Sequence, residues 1–128
     1  MREGDEVGEL KIKRVYDDRE GTDGYRLLVD RLWPRGIRKE SLHLDEWGKF
    51  LAPSTELCRR FDHRPERFES FREDYRAELN ASEEASTFLK EVGKLLNEGA
   101  VTLLYGAKDT KHNQAVVLQE WILEKLRS

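Results

Sequence analysis

The chain has 128 residues, of which 38% are hydrophobic and 38% are charged, and its formal net charge at pH 7 is -3. This composition is typical of a globular protein with one core, and it excludes an intrinsically disordered chain. The slight excess of acidic residues does not support the broad basic surface that non-specific nucleic-acid binding requires, although it leaves room for a local basic pocket.

Cysteine occurs once, at Cys58, so no disulfide can form within the chain, which favours a reducing, cytoplasmic compartment. The first residues are charged and resemble neither a signal peptide nor a membrane anchor. No apolar run approaches the ~18 residues that a membrane-spanning helix requires. We therefore expect a cytoplasmic protein without membrane association, with a mobile leader over residues 1–9 and one domain over residues 10–128.

Two strands are predicted near the start of the chain. Leu10–Tyr16 alternates apolar and basic residues, which indicates a half-exposed strand. Tyr25–Trp33 has a continuous apolar centre, which indicates a strand buried on both faces. The turn-rich segment 17–24 between them is shorter than the ~12 residues of a usual parallel crossover, so a hairpin and a parallel arrangement both stay open.

Short elements are predicted in the middle of the chain. Ser41–Leu44 predicts a brief third strand. The next segment predicts a short helix with Asp45 as its N-cap and with Trp47, Phe50 and Leu51 facing inward. A second short helix begins after Ser54 as its N-cap, and its inward residues are Leu57 and Phe61.

Helical periodicity dominates the second half of the chain. Pro65 is suited to the first position of a helix that presents an apolar stripe of Phe68, Phe71, Tyr75 and Leu79. A further helix is predicted between a capping box at Asn80 and Glu83 and a stop at Gly99, with Ala85, Phe88, Leu89, Val92, Leu95 and Leu96 inward. Ala100–Ala107 predicts a second buried strand, and the last helix presents Leu118, Trp121, Ile122 and Leu126.

Strands separated by helices predict an α/β fold, with one small domain and a few-stranded, mostly parallel central sheet flanked by helices. The two most apolar segments should be neighbouring strands at its centre, because only a strand covered on both faces is apolar throughout. The residues that we expect to lie there are Leu27, Leu28, Val29, Leu103 and Leu104.

Polar and basic residues follow the predicted strands, and ligands of open α/β sheets bind at the carboxyl ends of the strands. We expect Arg35, Lys108 and His112 to meet around one cleft, where the N-terminal N–H groups of the last helix would favour an anion. Residues available for proton transfer are Asp30, Asp109 and His112. The candidate ligand-binding residues are Tyr16, Arg31, Arg35, Gly36, Tyr105, Lys108 and Asn113.

Structural roles are the alternatives for several of these residues. Trp33 can close the end of the core, with Pro34 and Gly36 shaping the turn that follows. Asp30 and Arg31 can form an ion pair, and Asp109 can cap the last helix. No metal or cofactor is predicted, because no phosphate-binding loop is present and no metal-ligand spacing occurs among His43, His63, His112 and Cys58.

Two motifs, DRLWPRG at 30–36 and LLYGAKDTKHN at 103–113, are specific in combination. From about Lys13 to its last helix the chain resembles the YeaO-like family of bacterial and archaeal domains of unknown function (DUF488). The resemblance implies a helix between the first two strands, and hence that these two strands are a parallel pair. It implies no reaction. It also places at motif positions Tyr16, Asp17, Asp30, Arg31, Trp33, Pro34, Arg35, Gly36, Trp47, Pro53, Ser54, Tyr105, Lys108, Asp109, His112 and Asn113.

Two functions stay open. The leading hypothesis is an anion-preferring pocket at the carboxyl edge of the sheet, which binds and could transform a small anionic, phosphorylated or nucleotide-like ligand. The alternative is a non-catalytic binding or regulatory module that engages a protein or nucleic-acid partner. A flat apolar surface around Trp33 and Trp47 would favour the second.

Overall fold

A parallel sheet with the strand order β1-β4-β2-β3 forms the centre of the computed structural model, which describes residues 8–127. Its strands are β1 Leu10–Arg14, β2 Tyr25–Leu28, β3 Glu46–Trp47 and β4 Val101–Tyr105. The helices are α1 Lys39–Leu42, α2 Thr55–Phe61, α3 Phe68–Ala81, α4 Glu83–Glu98 and α5 Gln114–Arg127, with 3-10 turns at Gly21–Asp23, Lys49–Leu51 and Pro65–Arg67. The predicted α/β fold is confirmed.

The structure describes only residues 8 and 9 of the predicted leader. The first seven residues of the predicted leader lie outside the described residues. The Gly8 N–H donates to the Leu96 carbonyl over 2.5 Å, and the Glu9 carbonyl accepts from the Val101 N–H over 3.0 Å. These two residues are therefore attached to α4 and β4.

The predicted centre of the sheet is confirmed by the register of β2 and β4. Leu27 pairs with Leu103 and Leu28 pairs with Leu104, and all four side chains are fully buried. Val29 is also fully buried, and its N–H donates to the Leu104 carbonyl over 3.0 Å just beyond the end of β2. β4 has a hydrogen-bonded neighbour on each side, which explains why its sequence is apolar throughout.

The hairpin alternative for the first two strands is excluded, because β4 lies between β1 and β2 and is parallel to both. The spacing argument assumed that the two strands are adjacent. An extended chain covers ~3.3 Å per residue, so the segment 15–24 reaches ~30 Å. That length suffices to return along one short strand and cross two strand spacings. A 3-10 turn at Gly21–Asp23 stands where the family resemblance implied a helix.

Each face of the sheet has its own hydrophobic cluster, because successive side chains of a strand point to opposite faces. The larger cluster lies against α3, α4 and α5, and it includes Leu27 and Leu103. The smaller cluster is covered by the segment 30–47, and its buried members are Val15, Leu28, Leu42 and Leu104. Trp33 and Trp47 pack against it with their rings edge to face and their centroids 5.2 Å apart.

The helical faces are largely as predicted. The stripe on α3 is buried, and Ser54 caps α2 by accepting a hydrogen bond from the Leu57 N–H over 3.1 Å. The predicted capping box before α4 is wrong, because Ser82 is the N-cap and accepts from the Ala85 N–H over 3.1 Å. Asn80 belongs to α3, and its side chain accepts a hydrogen bond from Trp121 over 2.9 Å.

The middle of the chain differs most from the prediction. Lys39–Leu42 is a helical turn, so the predicted strand at 41–44 is wrong, and the third strand lies at Glu46–Trp47, where a helix was predicted. Pairing with β2 decides this, because the Asp45 carboxylate accepts from the Arg26 N–H over 2.8 Å and the Gly48 N–H donates to the Leu28 carbonyl over 2.8 Å. Strand β2 also ends earlier than predicted.

Two side chains that were predicted to face inward lie at the surface instead. The exposed fractions of Phe50 and Leu126 are 39% and 41%. Over residues 8–127 the structure has no helix with the length and apolar character needed to cross a membrane.

Candidate functional site

A cavity of about 260 Å³ lies where β2 and β4 end, between the first turn of α5 and the α2–α3 region. We call it the Asp30 cavity. Its position agrees with the rule that ligands of open α/β sheets bind at the carboxyl ends of the strands. The wall residues are Asp30, Arg31, Leu32, Pro53, Cys58, Phe61, His63, Phe71, Ala107, His112, Asn113 and Gln114.

Asp30 joins three elements at the wall of this cavity. One carboxylate oxygen accepts a hydrogen bond from the Gly106 N–H over 2.9 Å, and the other accepts from the side-chain amide of Gln114. Its main-chain carbonyl accepts from the Trp47 indole N–H over 2.8 Å. A Cβ at Gly106 would lie 2.9 Å from the Asp30 carboxylate, so a larger residue at this position would displace that carboxylate.

Burial raises the pKa of Asp30 to about 6, although the hydrogen bonds from Gly106 and Gln114 act in the opposite direction. No ion pair compensates this carboxylate within residues 8–127, so the predicted pairing of Asp30 with Arg31 is wrong. The Arg31 guanidinium instead donates to the Pro53 carbonyl over 2.7 Å. A carboxyl with a pKa of about 6 can exchange a proton with a bound ligand near neutral pH.

The pH dependence of stability tests this environment through the variant Asp30→Asn. A carboxyl pKa raised from ~3.9 means that the folded protein binds the proton more tightly than the unfolded chain. The stability that this tighter proton binding at Asp30 contributes is therefore complete below pH ~4, and it declines as the pH rises to about 6. Wild type should lose free energy of unfolding relative to Asp30→Asn over this window, with a slope approaching ~1.4 kcal/mol per pH unit.

Urea unfolding at pH steps from 4 to 7 measures this difference. Asparagine still offers an oxygen to Gly106, and the Gln114 amide can rotate to accept from its nitrogen, so the variant keeps both hydrogen bonds. Groups other than Asp30 titrate in both proteins and cancel in the comparison. A difference that stays constant across the window would show that Asp30 titrates at its ordinary pKa.

The turn before α5 is held together by its own side chains. Asp109 accepts hydrogen bonds from the N–H groups of Lys111 and His112 over 2.8 and 3.0 Å, and its second oxygen lies 2.9 Å from His112 Nδ1. These hydrogen bonds hold the pKa of Asp109 below its usual range, with the Lys111 N–H contributing most. Asn113 rather than Asp109 caps the helix, because it accepts from the Val116 N–H over 3.1 Å.

This turn changes the expected chemistry of the helix N-terminus. Three of the N–H groups around this helix start already have protein acceptors, because those of Lys111 and His112 donate to Asp109 and that of Val116 donates to Asn113. His112 presents its ring to the Asp30 cavity and packs edge-on against Phe68, with the ring centroids 5.2 Å apart.

The predicted site residues divide into separate groups. Asp30, Arg31, His112 and Asn113 line the Asp30 cavity, and Asp109 holds one side of His112. Arg35 and Lys108 are exposed and are not among the residues that line it, so the expected meeting of Arg35, Lys108 and His112 around one cleft is not observed. Tyr105 is buried in β4, and Tyr16 and Gly36 border a different depression.

Sequence reasoning did not include the residues that α2 and α3 contribute to the Asp30 cavity. Phe61 and Phe71 were recognised as inward-facing, and their rings stack with centroids 4.5 Å apart. Their apolar periodicity shows that they are covered, but it does not show that the covered surface borders a cavity. Cys58 of α2 also lines the cavity. Burial raises the pKa of its thiol, so the thiol is neutral near pH 7.

The fold and the cavity define a small parallel α/β protein with a site for a small ligand at the carboxyl edge of its sheet. A family model described as "Inactive DUF488-N3 subclade" matches residues 9–128. The chain therefore belongs to the YeaO-like DUF488 family, as its motifs indicated.

Relatives in this family are described as uncharacterized. The chain is 49% identical to the uncharacterized protein YeaO of Escherichia coli K12 over 113 residues, which cover 88% of this chain and 96% of the relative. It is 39% identical over 111 residues to the uncharacterized proteins Mb3100c of Mycobacterium bovis and Rv3073c of Mycobacterium tuberculosis, covering 87% of this chain and 91% of each relative. No solved structure matches the chain.

Proposed function

We propose that this protein is a ligand-binding module that holds a small aromatic anion in the Asp30 cavity without transforming it. The observation that carries the proposal is the composition of the cavity wall. An apolar surface from α2 and α3 adjoins basic and titratable groups in one cavity at the carboxyl edge of the sheet. Small-molecule sites typically combine a mostly apolar lining with a few polar groups that orient the ligand.

The size of the cavity limits the ligand. About 260 Å³ lies just below the ~300–1,000 Å³ of typical small-molecule sites, so we expect one ring system with one anionic group. Phe61 and Phe71 offer an apolar wall for the ring. The guanidinium of Arg31 is suited to a carboxylate or phosphate, because its planar fork donates two parallel hydrogen bonds.

Binding is favoured over catalysis by the internal partners of the reactive groups. Both carboxylate oxygens of Asp30 accept hydrogen bonds from the protein, His112 lies against Asp109, and the Cys58 thiol is not ionised near neutral pH. The word "inactive" in the description of the matching family agrees with this proposal. The proposed module would respond to a metabolite by being stabilised in its bound form.

A catalytic function is the second candidate, and the raised pKa of Asp30 is the observation that favours it. A carboxyl with a pKa of about 6 beside a cavity is suited to general acid–base chemistry. Turnover of a bound probe in wild type, and its loss in Asp30→Asn without a loss of binding, would support this candidate instead.

Phenyl phosphate is a suitable probe for the proposed function, because it carries one ring and one anionic group. We expect its addition to shift the backbone amide NMR signals of Ala107, His112 and Gln114. Arg31→Gln should weaken this binding about tenfold or more, since a charge-assisted hydrogen bond contributes ~1.5–3 kcal/mol. Inorganic phosphate, which lacks the ring, should shift these signals only at much higher concentration.

Matched controls come from Arg35→Gln and Lys108→Ala, which alter exposed cations outside the cavity wall. Both variants should bind phenyl phosphate like wild type at the cavity amides. If they weaken the binding as much as Arg31→Gln does, the anion site predicted from the sequence around Arg35 and Lys108 is correct and the Asp30 cavity is not the site.

A further inference from the structure

A second depression, of about 240 Å³, lies at the end of β1 beside the segment 36–42. We call it the Arg26 depression. It borders the smaller hydrophobic cluster through Val15 and Leu42 and shares no lining residue with the Asp30 cavity. Its wall contains three arginines but only one carboxylate, Asp17. The depression is therefore locally positive, although the chain as a whole is negatively charged.

Arg26 is the buried component of this depression, with an exposed fraction of only 3%. Its guanidinium donates to the Asp23 carboxylate over 2.5 Å and to the carbonyls of Leu42 and His43 over 2.8 and 3.2 Å. A guanidinium has five N–H hydrogens. One hydrogen on each terminal nitrogen has no acceptor among residues 8–127, so this rigidly held cation retains donors for an additional acceptor.

The charge of Arg26 is only partly neutralised by its carboxylate partner. Asp23 is shared with Lys13, whose ammonium lies 2.9 Å from its other oxygen. One buried carboxylate thus serves two cations, and the remaining partner of Lys13 is Glu20, whose side chain is 65% exposed. The buried side of the depression therefore favours a further negative charge.

The rim supplies two more cations. Arg19 has no hydrogen-bond or ion-pair partner in the described part of the chain, and it is exposed. Within residues 8–127 the Arg38 guanidinium makes only a 3.6 Å contact with Glu40. The two side chains are 84% and 72% exposed, and such a pair contributes little. Both guanidinium groups can therefore turn toward a ligand at small cost.

The backbone of the depression is also open to a ligand. Gly36 has a φ of 76°, and nothing lies within 4 Å of the position that a Cβ would occupy there. The hydroxyl of Tyr16 donates to the Arg35 carbonyl over 2.9 Å and so joins the end of β1 to the turn at Gly36. The Ser41 hydroxyl lines the same space and has no partner within residues 8–127.

We propose that the Arg26 depression binds a phosphate group, either inorganic phosphate or the phosphoryl group of a small phosphomonoester. Arg26 would contact it from the buried side, Arg19 and Arg38 from the rim, and Ser41 through its hydroxyl. Arginine is suited to this group because its fork matches two phosphate oxygens. A long polyanion is disfavoured, because Asp17 lines the depression and Glu40 lies 3.6 Å from Arg38 at its rim.

Titration with inorganic phosphate, followed by the amide NMR signals of Gly36, Arg38 and Ser41, tests the proposal. We expect saturable shifts in wild type, and binding that is about tenfold weaker in Arg19→Gln and in Arg38→Gln. Both substituted side chains are exposed, so the fold should be retained, and circular dichroism checks this. A parallel titration with glycerol phosphate distinguishes a phosphomonoester from the free ion, because only a site built for the ester binds it more tightly.

Two controls separate this site from general electrostatic screening and from the proposed function. Arg59→Gln removes another exposed arginine, from α2, and Arg31→Gln alters the Asp30 cavity. Both variants should leave phosphate binding at Gly36 and Ser41 unchanged. Equal phosphate binding in all five proteins, or shifts that fail to saturate, would overturn the proposal. That outcome would leave the phenyl phosphate result at the Asp30 cavity unaffected.

Discussion

Leu103→Ala is expected to lower the free energy of unfolding by about 2–5 kcal/mol, which is the usual cost of removing a buried leucine side chain. Leu103 is fully buried in the central strand β4, where it pairs with Leu27 on one side and Ile12 on the other. The surrounding strands are fixed by their hydrogen bonds, so the cavity cannot close by local rearrangement. Urea unfolding at neutral pH measures the loss.

Leu32→Ala is the matched control, because it removes the same atoms from a side chain that is 77% exposed. We expect its effect to stay within about 0.5 kcal/mol of wild type. Similar losses for the two variants would contradict the position of Leu103 at the centre of the sheet.

Asp23→Asn is expected to cost about 3–5 kcal/mol, because it leaves the buried guanidinium of Arg26 without its carboxylate partner. The side chains of Asp23 and Arg26 are each 3% exposed, and their closest atoms are 2.5 Å apart. Asparagine keeps an oxygen for the Glu20 N–H, which donates to Asp23 over 3.0 Å, so the loss reports mainly on charge. Thermal or urea unfolding at pH 7 measures it.

The pH dependence of this loss has a defined sign. Burial by itself would raise the pKa of Asp23, but the Glu20 N–H, Lys13 and Arg26 together hold that pKa below its ordinary value. A lowered carboxyl pKa stabilises the folded protein above pH ~4, and this contribution disappears as the pH falls through the folded-state pKa. The difference between wild type and Asp23→Asn should therefore shrink in acid.

Two further variants identify the cause. Asp18→Asn changes an exposed carboxylate in the same segment between β1 and β2. Its free energy of unfolding should stay within about 0.5 kcal/mol of wild type. The double variant Asp23→Asn/Arg26→Met should recover part of the loss, because removing both charges leaves no unpaired ion. A double variant that is less stable than Asp23→Asn would show that Arg26 contributes mainly through its bonds to Leu42 and His43.

The segment 30–38 connects the two proposed sites. It leaves β2 at the Asp30 cavity, crosses the smaller hydrophobic cluster through Trp33 and Ile37, and reaches the Arg26 depression at Gly36. The motif DRLWPRG thus contributes to the wall of one site at its start and to the wall of the other at its end. Trp33 stays in place between them by donating to the Ile37 carbonyl over 2.6 Å.

The sequence alone determined the features that depend on local periodicity. The apolar runs around Leu28 and Leu103 identified the centre of the sheet, and the helical spacing of Phe71 and Tyr75 identified the buried face of α3. Ser54 was recognisable as an N-cap, because capping involves only residues a few positions apart. Burial on one face of a helix, or on both faces of a strand, leaves its pattern in consecutive residues.

Only the tertiary structure decided the features that depend on distant residues. Strand β3 forms at Glu46–Trp47 because β2 offers hydrogen-bonding groups there, and β1 is separated from β2 because β4, far along the chain, inserts between them. Asp30 and Gly36 belong to one motif but line separate depressions, the first at the ends of β2 and β4 and the second at the end of β1. Such positions depend on contacts across the sheet, which are not recorded in any local stretch of sequence.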